Sequence, residues 1–189
     1  MKERLTNQTL ELSLASESDI DEVWSIIKTC SDWLLKSGHK HWDDYYSRGL
    51  FEKKIQTESV YLASVKGTSI ATITTSTEPV EYYEENDMQQ FKEPDTNALY
   101  VTALAVLPQY QQQGYATKLM DFAEDQANES NLDYVRFDCK ALYVELVNFY
   151  RDRGYNVVGV TIDEEDNDEP YFLMEKKVSK LIKGSNKVH

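Results

Sequence analysis

Residues 106–116, Val-Leu-Pro-Gln-Tyr-Gln-Gln-Gln-Gly-Tyr-Ala, carry the strongest chemical signal in this chain. An apolar run stops at Pro108, crosses the polar segment Gln111, Gln112, Gln113 and Gly114, and enters an amphipathic run at Tyr115 and Ala116. Where such a loop meets a helix start, unpaired backbone N–H groups converge and the helix dipole presents its positive end, which is the chemistry of phosphate binding. A P-loop would end in Gly-Lys-Ser/Thr, and a dinucleotide fold would place three glycines in one turn. Neither pattern is present.

A second constellation lies downstream. Arg136, Phe137, Asp138, Cys139, Lys140 and Ala141 lead into Leu146, Phe149 and Tyr150, and then into Gly154 and Tyr155. Leu146, Phe149 and Tyr150 suit the apolar face of a helix, so packing is the reading of Tyr150 from its neighbours alone. His39 and His41 stand at i and i+2 with no third ligand of matching type nearby, whereas a helix-borne zinc pair would be i and i+4. No metal is expected. Cys30 and Cys139 have neither ligand spacing nor a disulfide framework and read as reduced, partly buried thiols.

Thirty-three acidic against 20 basic residues leave a net charge of −13. That excess repels nucleic acid, whose binding depends on Lys and Arg at phosphates, so no nucleic-acid partner is expected. Residues 78–95 hold seven carboxylates against the single Lys92, and residues 163–169 hold six with no base. Such runs are solvated loop surface or, more pointedly, an attraction for a cationic substrate. The first ten residues lack the apolar core of a signal peptide, and no later run approaches the roughly 20 apolar residues of a membrane span. A cytoplasmic protein without a membrane partner is the expectation.

The elements that must position these residues follow from hydrophobic period. Residues 9–14 alternate as a strand, and Ser16 to Asp19 offer caps before a helix carrying Ile20, Val23, Trp24, Ile27, Trp33 and Leu34 on one face. Trp24 and Trp33 are core candidates. A short helix is expected over 50–57, and strands 60–65 and 69–75 flank a hairpin turn at Lys66-Gly67-Thr68. The acidic segment 78–95 is too polar for core and too long for a tight turn, which leaves an ordered excursion or a mobile loop. Residues 98–107 form a nearly continuous apolar strand, followed by helix 115–128, strand 133–139, helix 142–152 and strands 155–162 and 171–176. The order, βααβββ then αβαββ, is a mixed α/β sandwich with one parallel crossover. No linker divides it, so 1–189 is read as one domain, with a polar tail over 178–189.

Together the two constellations resemble those of GNAT superfamily N-acetyltransferases. The pattern Gln/Arg-x-x-Gly-x-Gly/Ala is filled by Gln111, Gly114 and Ala116, after Val-x-Pro-x-aromatic as Val106, Pro108 and Tyr110. Phe149, Tyr150, Gly154 and Tyr155 match the family's Phe-Tyr-x-x-x-Gly-Phe signature, and Gly38 to Trp42 its Gly-x-x-x-Trp. In element order the resemblance covers about 9–177, the expected transferase domain. It implies a mostly antiparallel sheet of six to seven strands flanked by helices, with the pair 98–107 and 133–139 splayed apart.

The resemblance also implies acetyl-CoA as the acetyl donor and no metal. Its pantetheine arm would pair with main-chain groups of Leu104, Ala105 and Val106, and its diphosphate with Gln111, Gln112, Gln113, Gly114, Tyr115 and Ala116. Tyr150 would face the sulfur, where a phenol can donate a hydrogen bond or a proton to the leaving thiolate. An N–H near Leu104 would polarise the acetyl oxygen. Tyr143 stands where the family often has an asparagine that contacts the coenzyme. Thr102 and Ala103 stand where related sequences carry His and Arg, so no general base is assignable, although Glu81, Glu84 or Glu85 could end a water chain. The expected reaction is direct acetyl transfer to the primary amine of a small, cationic acceptor, with a homodimer left open. The alternatives are an acyl-CoA sensor without transferase activity and a structural protein that binds a basic partner through its acidic loops.

Overall fold

The computed structural model describes residues 9–39, 42, 45–163 and 169–178. His41, most of the second acidic run and all of the expected tail beyond Val178 lie outside them. The elements are β1 (Glu11–Leu14), α1 (Ile20–Lys36), α2 (Arg48–Thr57), β2 (Ser59–Val65), β3 (Thr68–Ser76), α3 (Glu85–Met88), β4 (Ala98–Val106), α4 (Tyr115–Glu129), β5 (Tyr134–Lys140), α5 (Val144–Asp152), β6 (Asn156–Asp163) and β7 (Glu169–Lys177). Seven strands form one sheet in the order β1-β2-β3-β4-β5-β7-β6. The β4–β5 pair is parallel and holds register only over Ala98↔Tyr134, Leu99↔Val135 and Tyr100↔Arg136. The fold is therefore the expected mixed, mostly antiparallel sheet with flanking helices and one parallel crossover. No helix among the described residues is long and apolar enough to cross a membrane.

Two compact units divide the chain, 1–76 with 101–121 and 77–100 with 122–189. In the first, Ser16 and Asp19 cap each other ahead of α1, with the Ser16 N–H donating to Asp19 Oδ2 at 2.8 Å. Helix α1 then buries Ile20, Val23, Ile26, Ile27 and Cys30 against Phe51, Val60, Leu62, Ala103 and Ala105. Each large aliphatic or aromatic side chain fully buried this way contributes about 1.5–3 kcal/mol. Trp24 packs at the edge of this core, but Trp33 is 40 % exposed, against expectation. It sits in the last turn, to one side of the stripe that Val23, Ile27 and Cys30 define, so helical phase turns it outward.

In the second unit the acidic segment is an ordered excursion. Glu84 and Asp87 cap α3 reciprocally, the Glu84 N–H donating to Asp87 Oδ2 at 3.0 Å. Phe91 is buried, and the fully buried Arg136 of β5 donates to the carbonyls of Glu93 (2.7 Å), Thr96 (3.4 Å) and Pro94 (3.5 Å). Its guanidinium lies 4.6 Å from the Phe91 ring centroid and 4.9 Å from that of Tyr134. One buried cation thus gathers the carbonyls at the end of a loop that has no strand partner for them, as buried polar groups require.

Candidate functional site

The loop ahead of α4 is built to point its N–H groups outward. Gln112 and Gly114 are both left-handed, at φ 58° and 83°, and alternation of hand along a loop curls successive amides towards one point. The Gln111 side chain turns back to donate to the Val106 carbonyl at 3.0 Å, and Gln113 donates to the Gln109 carbonyl at 3.0 Å. Both amides therefore brace the loop from behind. The Gly114 carbonyl accepts the first helical bond, from Lys118 N–H at 3.1 Å, so the N–H groups of Tyr115, Ala116 and Thr117 have no intrahelical acceptor. A Cβ built at Gly114 would meet no protein atom within 4 Å. The glycine is needed for its backbone hand, and its outer side is open. Gln112, Gln113 and Gly114 are exposed, Ala116 is half-buried and Tyr115 is buried. These residues fit a diphosphate bound through main-chain amides.

Upstream, Ala103 takes φ 48° and breaks the regular twist of β4, as a bulged strand does. Leu104 is half-buried; Ala105 and Val106 are buried. The Val106 carbonyl also accepts from Cys30 Sγ at 3.4 Å, so with Gln111 both its lone pairs are occupied. The Thr102 hydroxyl is buried without a hydrogen-bond partner among the described residues.

In the second unit, Tyr150 is buried in an aromatic cluster, its ring 4.4 Å from that of Phe137, 5.1 Å from Phe149 and 6.1 Å from Tyr155. Burial pushes its phenol well above the ordinary value; the charges of Cys139 and Asp138 add to the shift and Arg153 opposes it. A phenol this weakly acidic stays protonated and donates a hydrogen bond more readily than it surrenders the proton. Tyr143 is buried at the start of α5, with the Lys140 ammonium 5.9 Å from its ring. That ammonium also pairs with Glu169 at 2.6 Å.

The carboxylate that sequence reasoning missed is Asp138 of β5. Its Oδ2 accepts the hydroxyls of Tyr82 and Tyr83, each at 2.7 Å. Alternation along β5 places Asp138 on the face opposite Phe137 and hence opposite the ring contact of Tyr150. Glu84 is spent as a helix cap and, like Glu81 and Glu85, is exposed. A signal for Asp138 existed in the sequence: Arg136, Asp138 and Lys140 make one face of an interior strand charged, which a buried strand tolerates only where each charge has a designated partner.

Residues 24–155 match the model of the Acetyltransferase (GNAT) family, and the chain belongs to that family. Among curated proteins it is similar to the catalytic subunit of the N-terminal acetyltransferase B complex of Schizosaccharomyces pombe. The two are 31% identical over 87 residues, 44% of this chain and 48% of that one. The chain thus spans about half the length of the curated relative it matches. The fold resembles a GNAT-family acetyltransferase of Listeria monocytogenes 4b F2365, with a TM-score of 0.73 at 18% identity over 89% of this chain and 94% of that one. It also resembles the PaiA N-acetyltransferase of Thermoplasma acidophilum solved in complex with coenzyme A, with a TM-score of 0.61 at 15% identity over 89% and 99%.

Proposed function

We propose that this chain is an acetyl-CoA-dependent N-acetyltransferase that acts directly on a primary amine, with residues 9–177 as its transferase domain. The observation that carries the reading is the braced loop at Gly114, open to approach at the start of α4. Bound acetyl-CoA supplies the acetyl group as a thioester and leaves as a thiol. The amides of 111–116 hold its diphosphate, Leu104, Ala105 and Val106 its pantetheine arm, and an N–H near Leu104 the acetyl oxygen as charge develops.

Asp138 takes the proton that the attacking amine must lose, an amine of pKa near 10 being mostly protonated at neutral pH. Tyr150 donates a hydrogen bond to the sulfur as the C–S bond breaks; the new C–N bond completes the amide, and the second proton lost by the nitrogen ends on the departing thiolate.

The acidic surface of 78–95 favours a cationic acceptor. A polypeptide N-terminus is the second reading of the acceptor, favoured by the resemblance to an N-terminal acetyltransferase subunit. A thiol-release assay with spermidine, lysine, an aminoglycoside and free peptide N-termini tests both. Tight coenzyme binding with no turnover of any member would favour the sensor reading instead.

A further inference from the structure

The acidic segment is fastened within its own unit by contacts that have nothing to do with Asp138. The Gln90 side chain acts as a piece of backbone for the edge strand β6, donating to the Val160 carbonyl at 3.1 Å and accepting its N–H at 2.8 Å. The Glu93 carboxylate accepts from the Tyr134 hydroxyl at 2.8 Å and from Lys177 at 3.1 Å, and Arg136 holds the carbonyls beyond it. The contact to Asp138 differs in kind. Tyr82 is 44% exposed, so it gains little from burial where it lies, yet its hydroxyl and that of Tyr83 meet on one oxygen at 2.7 Å each. That length is the short one found for O–H donors on an ionised carboxylate.

The Tyr83 ring is set by packing as well as by that oxygen. Tyr82 and Tyr83 pack edge to face at 5.3 Å, and Tyr83 lies 6.2 Å from Phe91 and 6.3 Å from Tyr100. Tyr83, packed among these rings, and Tyr82, set against it, therefore present two donors to one oxygen of Asp138.

We propose that Tyr82 and Tyr83 are positioning residues for acetyl transfer: through their hydroxyls the acidic segment holds Asp138 as an oriented, ionised carboxylate for the acceptor amine. This rests on Asp138 being the proton acceptor. Hydrogen bonds to the charged form of an acid favour that form, so loss of either donor makes Asp138 harder to ionise. The other groups that bear on the cluster are Tyr150 and Cys139, with Arg153 and Arg151 acting on them, and Tyr100 and Asp87 beyond Tyr83. Across the ladder, Asp138 faces the apolar Leu173 of β7.

The test uses the full chain labelled with carbon-13 at aspartate Cγ, the Asp138 resonance being assigned by its loss in Asp138→Asn. The expected result is that this carboxyl titrates at higher pH in Tyr82→Phe and in Tyr83→Phe than in the parent, and highest in the double variant. With the panel amine that turns over fastest, each single variant loses about two- to tenfold in kcat/KM near neutrality. The acidic limb of the pH profile moves upward, and the KM for acetyl-CoA is unchanged. Tyr82→Phe, being exposed, decides the matter alone should Tyr83→Phe fail to fold. An Asp138 titration that is the same in Tyr82→Phe as in the parent overturns the positioning role and leaves the Asp138 reading standing. An Asp138→Asn protein with undiminished kcat overturns both.

Discussion

The chemistry proposed for Tyr150 follows from its surroundings more than from its residue type. A phenol whose acidity is suppressed by burial and by the fields of Cys139 and Asp138 remains a donor across the physiological range. Its contribution is a hydrogen bond that strengthens as negative charge gathers on sulfur. Tyr150→Phe is expected to lower kcat by about ten- to a hundredfold while the coenzyme dissociation constant stays within about twofold. Calorimetry beside steady-state kinetics separates the two. A pure acyl-CoA sensor has no kcat to lose, and an equal loss of affinity and rate would remove the case for a role at the sulfur. The buried thiols make the opposite point, that a reactive side chain can be silenced by place. Burial pushes Cys30 and Cys139 up to about 12, so neither ionises near neutrality. A thiol-disulfide reagent at pH 8 should therefore leave both unmodified in the folded protein and label both in denaturant. Fast labelling of either before unfolding would contradict its burial.

Among the elements, two glycines resist a side chain for different reasons, Gly114 for its backbone hand and Gly159 for its neighbour. Gly114→Ala must place a Cβ on a left-handed residue, a strain of about 1 kcal/mol, and in the path proposed for the diphosphate. Coenzyme affinity should fall by at least about tenfold while the melting temperature moves little, a pattern read by calorimetry and thermal denaturation. Gly159 is constrained by a neighbour: a Cβ there would lie 2.6 Å from Gln90 Cβ and 2.7 Å from its Cδ. Because the near atoms include the base of the side chain, Gly159→Ala should cost about 1–3 kcal/mol and loosen the acidic segment. Faster hydrogen exchange over residues 85–93 with α1 unchanged is the expected signature.

These elements also divide what period and motif can reveal from what they cannot. The strands and long helices were legible because alternation or a 3.6-residue stripe announces them; even the start of α1 was written in Ser16 and Asp19. The left-handed turn ahead of α4, proposed to hold the diphosphate, was legible from Gly114 and its flanks. The four-residue α3 was not, since one turn has no period, and the ordering of 78–95 rests on Arg136 and Gln90, partners more than 40 residues away for the former and 70 for the latter. Asp138, the base proposed above, was passed over for the same reason. Its meaning depends on Tyr82 and Tyr83, 56 and 55 residues upstream, and a search for a base among nearby acidic residues pointed to Glu81, Glu84 and Glu85, which are exposed.

For the molecule as a whole, acidity and buried phenols combine into a pH limit with a definite sign. Tyr83, Tyr150 and Tyr155 all titrate above their ordinary value in the folded state, burial being the first cause in each case; Asp138 adds to the first two and Glu124 to the third. A raised folded pKa means that the neutral form is favoured by folding. The stability it represents is fully present below the unfolded pKa, near 10 for tyrosine, and is lost as pH rises beyond it. Cys30 and Cys139, raised from 9.0 to about 12, act with the same sign from a lower starting point. The charge of −13 pushes the same way, because each thiolate or phenolate formed adds to an existing negative excess. The melting temperature should therefore be nearly flat through neutrality and fall steeply from about pH 9 to 11. Part of the tyrosinate absorbance at 295 nm should be withheld and appear together with the loss of tertiary signal. If all thirteen tyrosines ionised smoothly near pH 10 in a protein that stayed folded, the buried aromatic cluster around Tyr150 would be wrong, and with it the environment on which its proposed hydrogen bond to sulfur depends.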